Sequence, residues 1–136
     1  MNTASEKIRR KNLQILERHY PNIYRLVKSQ KHQNETIAIE SAKSGDPTLR
    51  IQRDGNSPIY LHSRYNPLNE ANLWVNTIAW SGSQPDAVLV FGFGLGYHVE
   101  RFIQNHPDTK LYIYEPYVDV FTASLGARDL RPVLRH

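Results

Sequence analysis

Asp86-Ala87-Val88-Leu89-Val90-Phe91-Gly92-Phe93-Gly94-Leu95-Gly96-Tyr97-His98-Val99-Glu100 decides the fold: an apolar run, 87 to 91, empties into glycines at 92, 94 and 96. Five valine-rich apolar residues between Asp86 and Gly92 predict a strand buried on both faces, the usual state of a strand in a parallel sheet. The glycines let the backbone turn tightly and come close to a neighbour or ligand. From Tyr97 the period becomes helical, with Val99, Phe102 and Ile103 at i, i+3 and i+4, until Pro107-Asp108. Lys110-Leu111-Tyr112-Ile113-Tyr114 is a second strand with Glu115 at its carboxyl end. Together these segments form a βαβ unit.

Such a unit can hold a ligand, because the free N–H groups opening the helix favour an anion or a polar tail. A carboxylate about 20 residues on, at the tip of the next strand, can accept hydrogen bonds from ribose hydroxyls. Glu115 stands 19 residues after Gly96. Tyr97 replaces the third glycine of the dinucleotide fingerprint, and G-x-G-x-G is closer to the loop of nucleoside-binding proteins such as the S-adenosylmethionine-dependent methyltransferases. Gly92, Gly94, Gly96, Tyr97 and Glu115 are therefore the candidate ligand-binding residues, for an S-adenosylmethionine-like nucleoside. The competing account is that the glycines only permit a tight strand-to-helix turn and Glu115 is a solvated strand end. No catalytic residue and no resident cofactor is assigned.

A chain of 136 residues has room for one domain with a core, and too little for a complete six-stranded doubly wound sheet. It has no cysteine, which excludes disulfides and thiolate metal sites. No apolar run approaches the roughly 20 residues of a membrane span, and residues 1 to 11 lack the apolar core of a signal peptide. A cytoplasmic chain is expected. The net charge of +4 gathers at the start, where Lys7, Arg9, Arg10, Lys11, Arg18, Arg25, Lys28 and Lys31 face only Glu6 and Glu17. Without an aromatic or glycine-rich nucleic-acid motif beside it, this charge argues for a solvated face or an acidic neighbour rather than nucleic acid.

Ser5 is the expected cap of a first helix, and Pro21 divides it from a second, which runs to about Gln30. These helices can fold back on the sheet or dock on a partner. Residues 1–34 read as a basic helical arm and 35–136 as a Rossmann-like domain. Within the latter, Thr36 to Ser41, Thr48 to Arg53 and Ser57 to Leu61 alternate apolar with polar and are separated by turns at 43–47 and Asp54-Gly55-Asn56. They predict an antiparallel meander of three strands. The fold class is α/β, a small Rossmann-like βαβ core with that meander and the basic helices.

Between meander and core lies Leu61-His62-Ser63-Arg64-Tyr65-Asn66-Pro67. Asn66 can cap a helix starting at Pro67, with an apolar face through Leu68, Ala71, Val75, Ile78 and Ala79. His62, Arg64 and Tyr65 either serve a site, Arg64 as an anion ligand, or tie down the connection through groups such as Glu70. Ser63 beside His62 in sequence does not make a charge-relay arrangement. Trp74 and Trp80 read as core or interface residues. His98 and His106, eight residues apart, are too distant on a helix to share a metal, and no metal is expected. After Glu115 a helix through Val118, Phe121 and Leu125 should stop at Gly126, and the tail to His136 has nothing following to bury it. A two-stranded parallel pair leaves an open edge, which the meander, a partner chain such as a second copy in a homo-oligomer, or a downstream domain would cover.

Leu61 to Pro67 with Glu70-Ala71, then Phe91 to His98, then Tyr114-Glu115-Pro116, resemble the amino-terminal domain of the motility accessory factor proteins over roughly residues 35 to 136. These are bacterial glycosyltransferase-like proteins with a central domain of the former DUF115 type. The resemblance implies a part in bacterial motility, through attachment of nonulosonic acids of the pseudaminic or legionaminic kind to flagellin from a CMP-activated donor. It also implies that transfer chemistry belongs to a glycosyltransferase domain downstream of His136, with that domain and flagellin as partners. His62, Arg64, Tyr65 and Asn66 match the family pattern without a known role.

Overall fold

The structure, a computed structural model, describes residues 3–30 and 36–136. Helix α1 spans Ala4–His19 and α2 spans Pro21–Lys28, divided at Pro21 as the sequence requires. The cap of α1 is Thr3 rather than Ser5. Thr3 Oγ1 accepts the Glu6 N–H while the Glu6 carboxylate accepts the Thr3 N–H, a reciprocal capping box. Ser5 instead donates to the Gly126 carbonyl at 2.9 Å. Residues 31–35, which include Lys31 and the boundary placed at 34/35, lie outside the described residues.

The meander forms as expected, with shorter strands. β1 (Ile37–Ser41) pairs antiparallel with β2 (Pro47–Ile51), and β2 pairs antiparallel with β3 (Ile59–Tyr60). Helix α3 (Pro67–Asn76) has Asn66 as its cap, Asn66 Oδ1 accepting the Asn69 N–H, and ends before Ile78 and Ala79. Then comes the βαβ unit: β4 (Ala87–Phe91), α4 (Tyr97–Asn105) and β5 (Lys110–Tyr114). The two strands are parallel, as a βαβ unit requires, with Ala87 opposite Lys110 and Phe91 opposite Tyr114.

One side of this pair is packed. Val90, with Val88 and Leu111 beside it, meets Ile15 and Leu16 of α1, Val99 of α4, and Leu125 of α5 (Val118–Ala127). The basic helices therefore fold back onto the core. Asn12, fully buried in α1, fixes the contact: its amide donates to the carbonyls of Leu125 (2.9 Å) and Arg128 (2.7 Å), and its oxygen accepts the Leu130 N–H (3.0 Å). The tail is buried as well. Helix α6 (Arg131–Leu134) tucks Val133 and Leu134 into the same cluster, which corrects the expectation of an unburied tail. Gly126 does not stop α5 but sits within it, where an added Cβ would lie 3.0 Å from Ser5 Oγ. The glycine serves the close approach of α1 to α5.

The other side of the pair is bare, against the expectation of a strand buried on both faces. Leu89 is 68% exposed and Phe91 74%. A run of apolar residues is the same in sequence whether or not something covers its second face.

A second, smaller core joins the meander to the βαβ unit: Leu49 of β2, Ala71 of α3, Leu95, Tyr97 and Val120 of α5. Tyr97 Oη donates to the Pro47 carbonyl at 2.6 Å, pinning the start of α4 to β2. The site lies at this junction.

Candidate functional site

The turn from β4 to α4 uses two of its glycines for reasons visible in space. Gly94 has φ +56°, and an added Cβ would stand 2.5 Å from His62 Nε2. Gly96, which caps α4 at φ +77°, lies under the Phe93 ring, where a Cβ would stand 2.5 Å from its edge. Side chains rarely adopt that left-handed backbone, and here there is no room for one either.

The N–H groups of the turn are already engaged by the chain itself. Glu115 Oε2 accepts from Phe93 N–H at 2.8 Å and from Gly94 N–H at 3.1 Å, while Oε1 accepts from Tyr117 N–H at 3.0 Å. His62, 33 residues earlier, supplies the next contact: its Nε2 accepts the Leu95 N–H at 2.9 Å. That bond fixes the His62 tautomer, leaving the proton on Nδ1, which faces Glu70 Oε1 at 3.9 Å. The loop, the His62 segment and the tip of β5, far apart in sequence, meet at one point.

Burial, with the nearby charges of His98 and Arg128 acting in the same direction, holds His62 down to about 4. Its ring is therefore neutral near pH 7. His98 is likewise lowered by burial, although its bond to Gly92 and the carboxylates of Glu70 and Glu115 oppose the shift. His98 Nε2 lies 3.1 Å from the Gly92 carbonyl, so that nitrogen carries the proton. Trp74 stands edge-on to His98, with ring centroids 5.4 Å apart. These groups border a cleft of about 770 Å³ that runs from β3 and α3 to β4, with Gly92, Gly94, Tyr97 and Glu115 among its walls. Trp80 also lines it, against Phe102 and His106. Both tryptophans thus stand at a cleft rather than in the main core.

Arg64, Tyr65 and Asn66 fall elsewhere. Arg64 stacks on the Tyr60 ring at 4.5 Å and its carbonyl accepts the Lys43 N–H. Tyr65 lies under Lys43 Nζ at 4.7 Å, and Asn66 caps α3. Glu70 accepts the Ser63 N–H at 3.0 Å. Among the described residues no group of three or more His, Asp or Glu side chains is placed to hold a metal ion.

One bracing group has no forewarning in the sequence. Arg128 stacks on Tyr97 at 3.8 Å, donates to the Leu95 carbonyl at 2.9 Å and pairs with Glu100 at 2.5 Å. Burial pushes Tyr97 up to about 12 despite this neighbouring cation. The turn is clamped from three directions, by His62, Glu115 and Arg128.

A parallel βαβ unit with an internally braced glycine turn, wrapped by helices and an antiparallel meander, defines a mixed α/β domain. Residues 76–136 match the sequence model of the glycosyltransferase Maf N-terminal domain. An uncharacterized protein of Treponema pallidum (strain Nichols) is 35% identical over 104 residues, which cover 72% of this chain and 32% of that protein. The solved structure of a Maf glycosyltransferase from Magnetospirillum magneticum AMB-1 shares the fold, with a TM-score of 0.69 and 14% identity over 95% of this chain and 25% of that one. The chain thus spans about a third of the one relative's length and a quarter of the other's. Residues 76–136 are thus similar in sequence to the Maf N-terminal domain, and the chain shares the fold of a solved Maf glycosyltransferase.

Proposed function

We propose that this chain is the amino-terminal, non-catalytic module of a motility accessory factor glycosyltransferase, one that attaches nonulosonic acid of the pseudaminic or legionaminic type to flagellin in the cytoplasm. Its task is domain assembly or contact with the acceptor protein, and transfer belongs to a separate DUF115-type glycosyltransferase domain. The observation that carries the non-catalytic part is the bracing of the turn. Phe93, Gly94 and Leu95 spend their N–H groups on Glu115 and His62, which leaves none of the three to hold a phosphate or a developing oxyanion. On this reading 1–34 is a basic helical layer of the module 35–136. The test is transfer from a CMP-nonulosonate donor to flagellin, with this chain and with a longer Maf protein assayed side by side. The longer protein transfers and this chain does not; turnover by this chain alone rejects the reading.

A second reading is favoured by one detail. Glu115 borders the cleft with Gly92 and His98, and its Oε1 accepts the Tyr117 N–H alone among the described residues, which leaves acceptor capacity for a ribose hydroxyl. Nucleoside binding by Gly92, Gly94, Gly96, Tyr97 and Glu115, in a methyltransferase-like manner, would raise the melting temperature in the presence of S-adenosylmethionine or a CMP-sugar. Absence of a shift at millimolar ligand eliminates it.

A further inference from the structure

Helix α1 carries its charge on two separate flanks of a buried side that is centred on Asn12, Ile15 and Leu16. On one flank Glu6 and Glu17 share a hollow with Arg9, Arg10 and Tyr24 of α2, so carboxylates and guanidinium groups balance there. The other flank holds Lys7, Lys11 and Arg18, all exposed. At i, i+4 and i+11 on an α-helix these three fall within about 40° of one another around the axis and span roughly 16 Å along it. Among the described residues none of the three has an ion-pair partner.

Helix α6 lies beside this flank. The Leu130 N–H meets Asn12, and Tyr20 Oη donates to the Leu134 carbonyl at 3.1 Å, so α6 follows the second half of α1. It brings Arg131 and the exposed Arg135 with it. Asp129, the carboxylate that feels the charge of Lys11, is already engaged by Arg131 through both of its oxygens. The cations of this flank therefore stay unmatched, while those of the first are balanced.

We infer that the Lys7, Lys11 and Arg18 flank is a docking face for an acidic helix of a partner polypeptide, with carboxylates at the same i, i+4, i+11 spacing. Charge selects the sign of the occupant, and the residues between the charges select its class. Gln14, which completes the row, is polar, so the face offers no apolar side chain to enter a lipid surface. Ile23 and Leu26 are exposed, but they belong to α2, the helix packed on the other flank. No ring stands in the row to stack on a base, as a single-stranded nucleic-acid face would have. A straight row of long cationic side chains matches a second helix laid along it, as charged flanking positions do in paired helices. Exposed pairs of this kind are screened by salt, so the contact is weak and reversible. The inference stands on charge placement alone and does not depend on the glycosyltransferase reading.

Fluorescence anisotropy of labelled alanine-based peptides, titrated with the full 136-residue chain, tests it. One peptide carries glutamates at i, i+4 and i+11, and its control carries the same glutamates scattered around the helix. At low ionic strength the first should bind more tightly than the second, and added salt should weaken it. Lys7→Gln, Lys11→Gln and Arg18→Gln together should weaken binding about tenfold, as the loss of three screened ion pairs requires. Lys28→Gln, Lys43→Gln and Arg53→Gln together remove the same charge from exposed positions elsewhere and should change binding less than about twofold. No binding at low salt overturns the inference. So does equal binding of the two peptides, or equal weakening by the two triple variants, since net charge alone would then be read. Tighter capture by phosphatidylglycerol vesicles or by a single-stranded oligonucleotide through the same three residues overturns it as well. Should a triple variant lose its circular dichroism signal, the two peptides compared on the unmodified chain decide.

Discussion

His62 Nε2 accepts the backbone N–H of Leu95 at 2.9 Å, so a histidine at the end of the meander completes the turn that begins helix α4. Removing it leaves a buried N–H without a partner and opens space beside Gly94. His62→Ala should cost about 3 kcal/mol, combining the unmet hydrogen bond with the cavity. Urea unfolding followed by circular dichroism measures this.

The same histidine makes the fold sensitive to mild acid. Its folded value of about 4 lies below its ordinary 6.5, so between those limits the unfolded chain binds a proton that the folded chain refuses. Stability is full above pH 6.5 and falls as pH drops towards 4, by up to about 3 kcal/mol. Asp129, held down to about 2 by Arg131, loses its contribution only below its ordinary 3.8 and does not confuse that window. Unfolding midpoints taken across pH 4 to 7 should show the fall, and His62→Gln should remove the larger part of it. His98, which burial also lowers, adds to the remainder, and Glu40, held down by its bond with Arg50, adds to it at the acid end.

Glycine substitutions separate a braced turn from an open cradle. Gly94→Ala meets both a left-handed backbone and the His62 ring, and Gly96→Ala meets the Phe93 ring. Each should cost more than about 2 kcal/mol. Gly92, at φ +91° with open space around it, should cost only about 1 kcal/mol when changed to alanine. Denaturation of the three variants checks the order, and equal costs would show that the neighbours give way.

Much of this was legible in the sequence and some was not. The βαβ pair and the meander follow from local signals: apolar runs, the 92–96 glycines and the turn at Asp54-Gly55-Asn56. Even the misplaced cap had its signal, since Thr3 and Glu6 stand in capping-box spacing. The bracing of the turn had none, because His62 and Leu95, or Glu100 and Arg128, are brought together only by tertiary packing. Gly126 looks like a helix stop in one dimension and is a contact point between two helices in three. The burial of the tail likewise depends on α1, at the far end of the chain.

Asn12 shows how far the first helices are part of the domain. Asn12→Ala leaves the Leu130 N–H and the carbonyls of Leu125 and Arg128 without their partner. The expected loss is about 3 kcal/mol. Asn12→Asp keeps the acceptor but forfeits both donors and buries a charge, and should lose more. Thermal unfolding of the two variants measures both.

Amide hydrogen exchange at Phe93, Gly94 and Leu95, read with and without millimolar CMP or S-adenosylmethionine, tests the braced turn most directly. All three amides should exchange slowly and be unmoved by either compound. Glu115→Ala should speed the first two, and His62→Ala the third. Fast exchange in the unmodified chain, or protection that appears only when a nucleotide is added, would mean that the turn is an open ligand cradle and that Glu115 and His62 do not hold it closed.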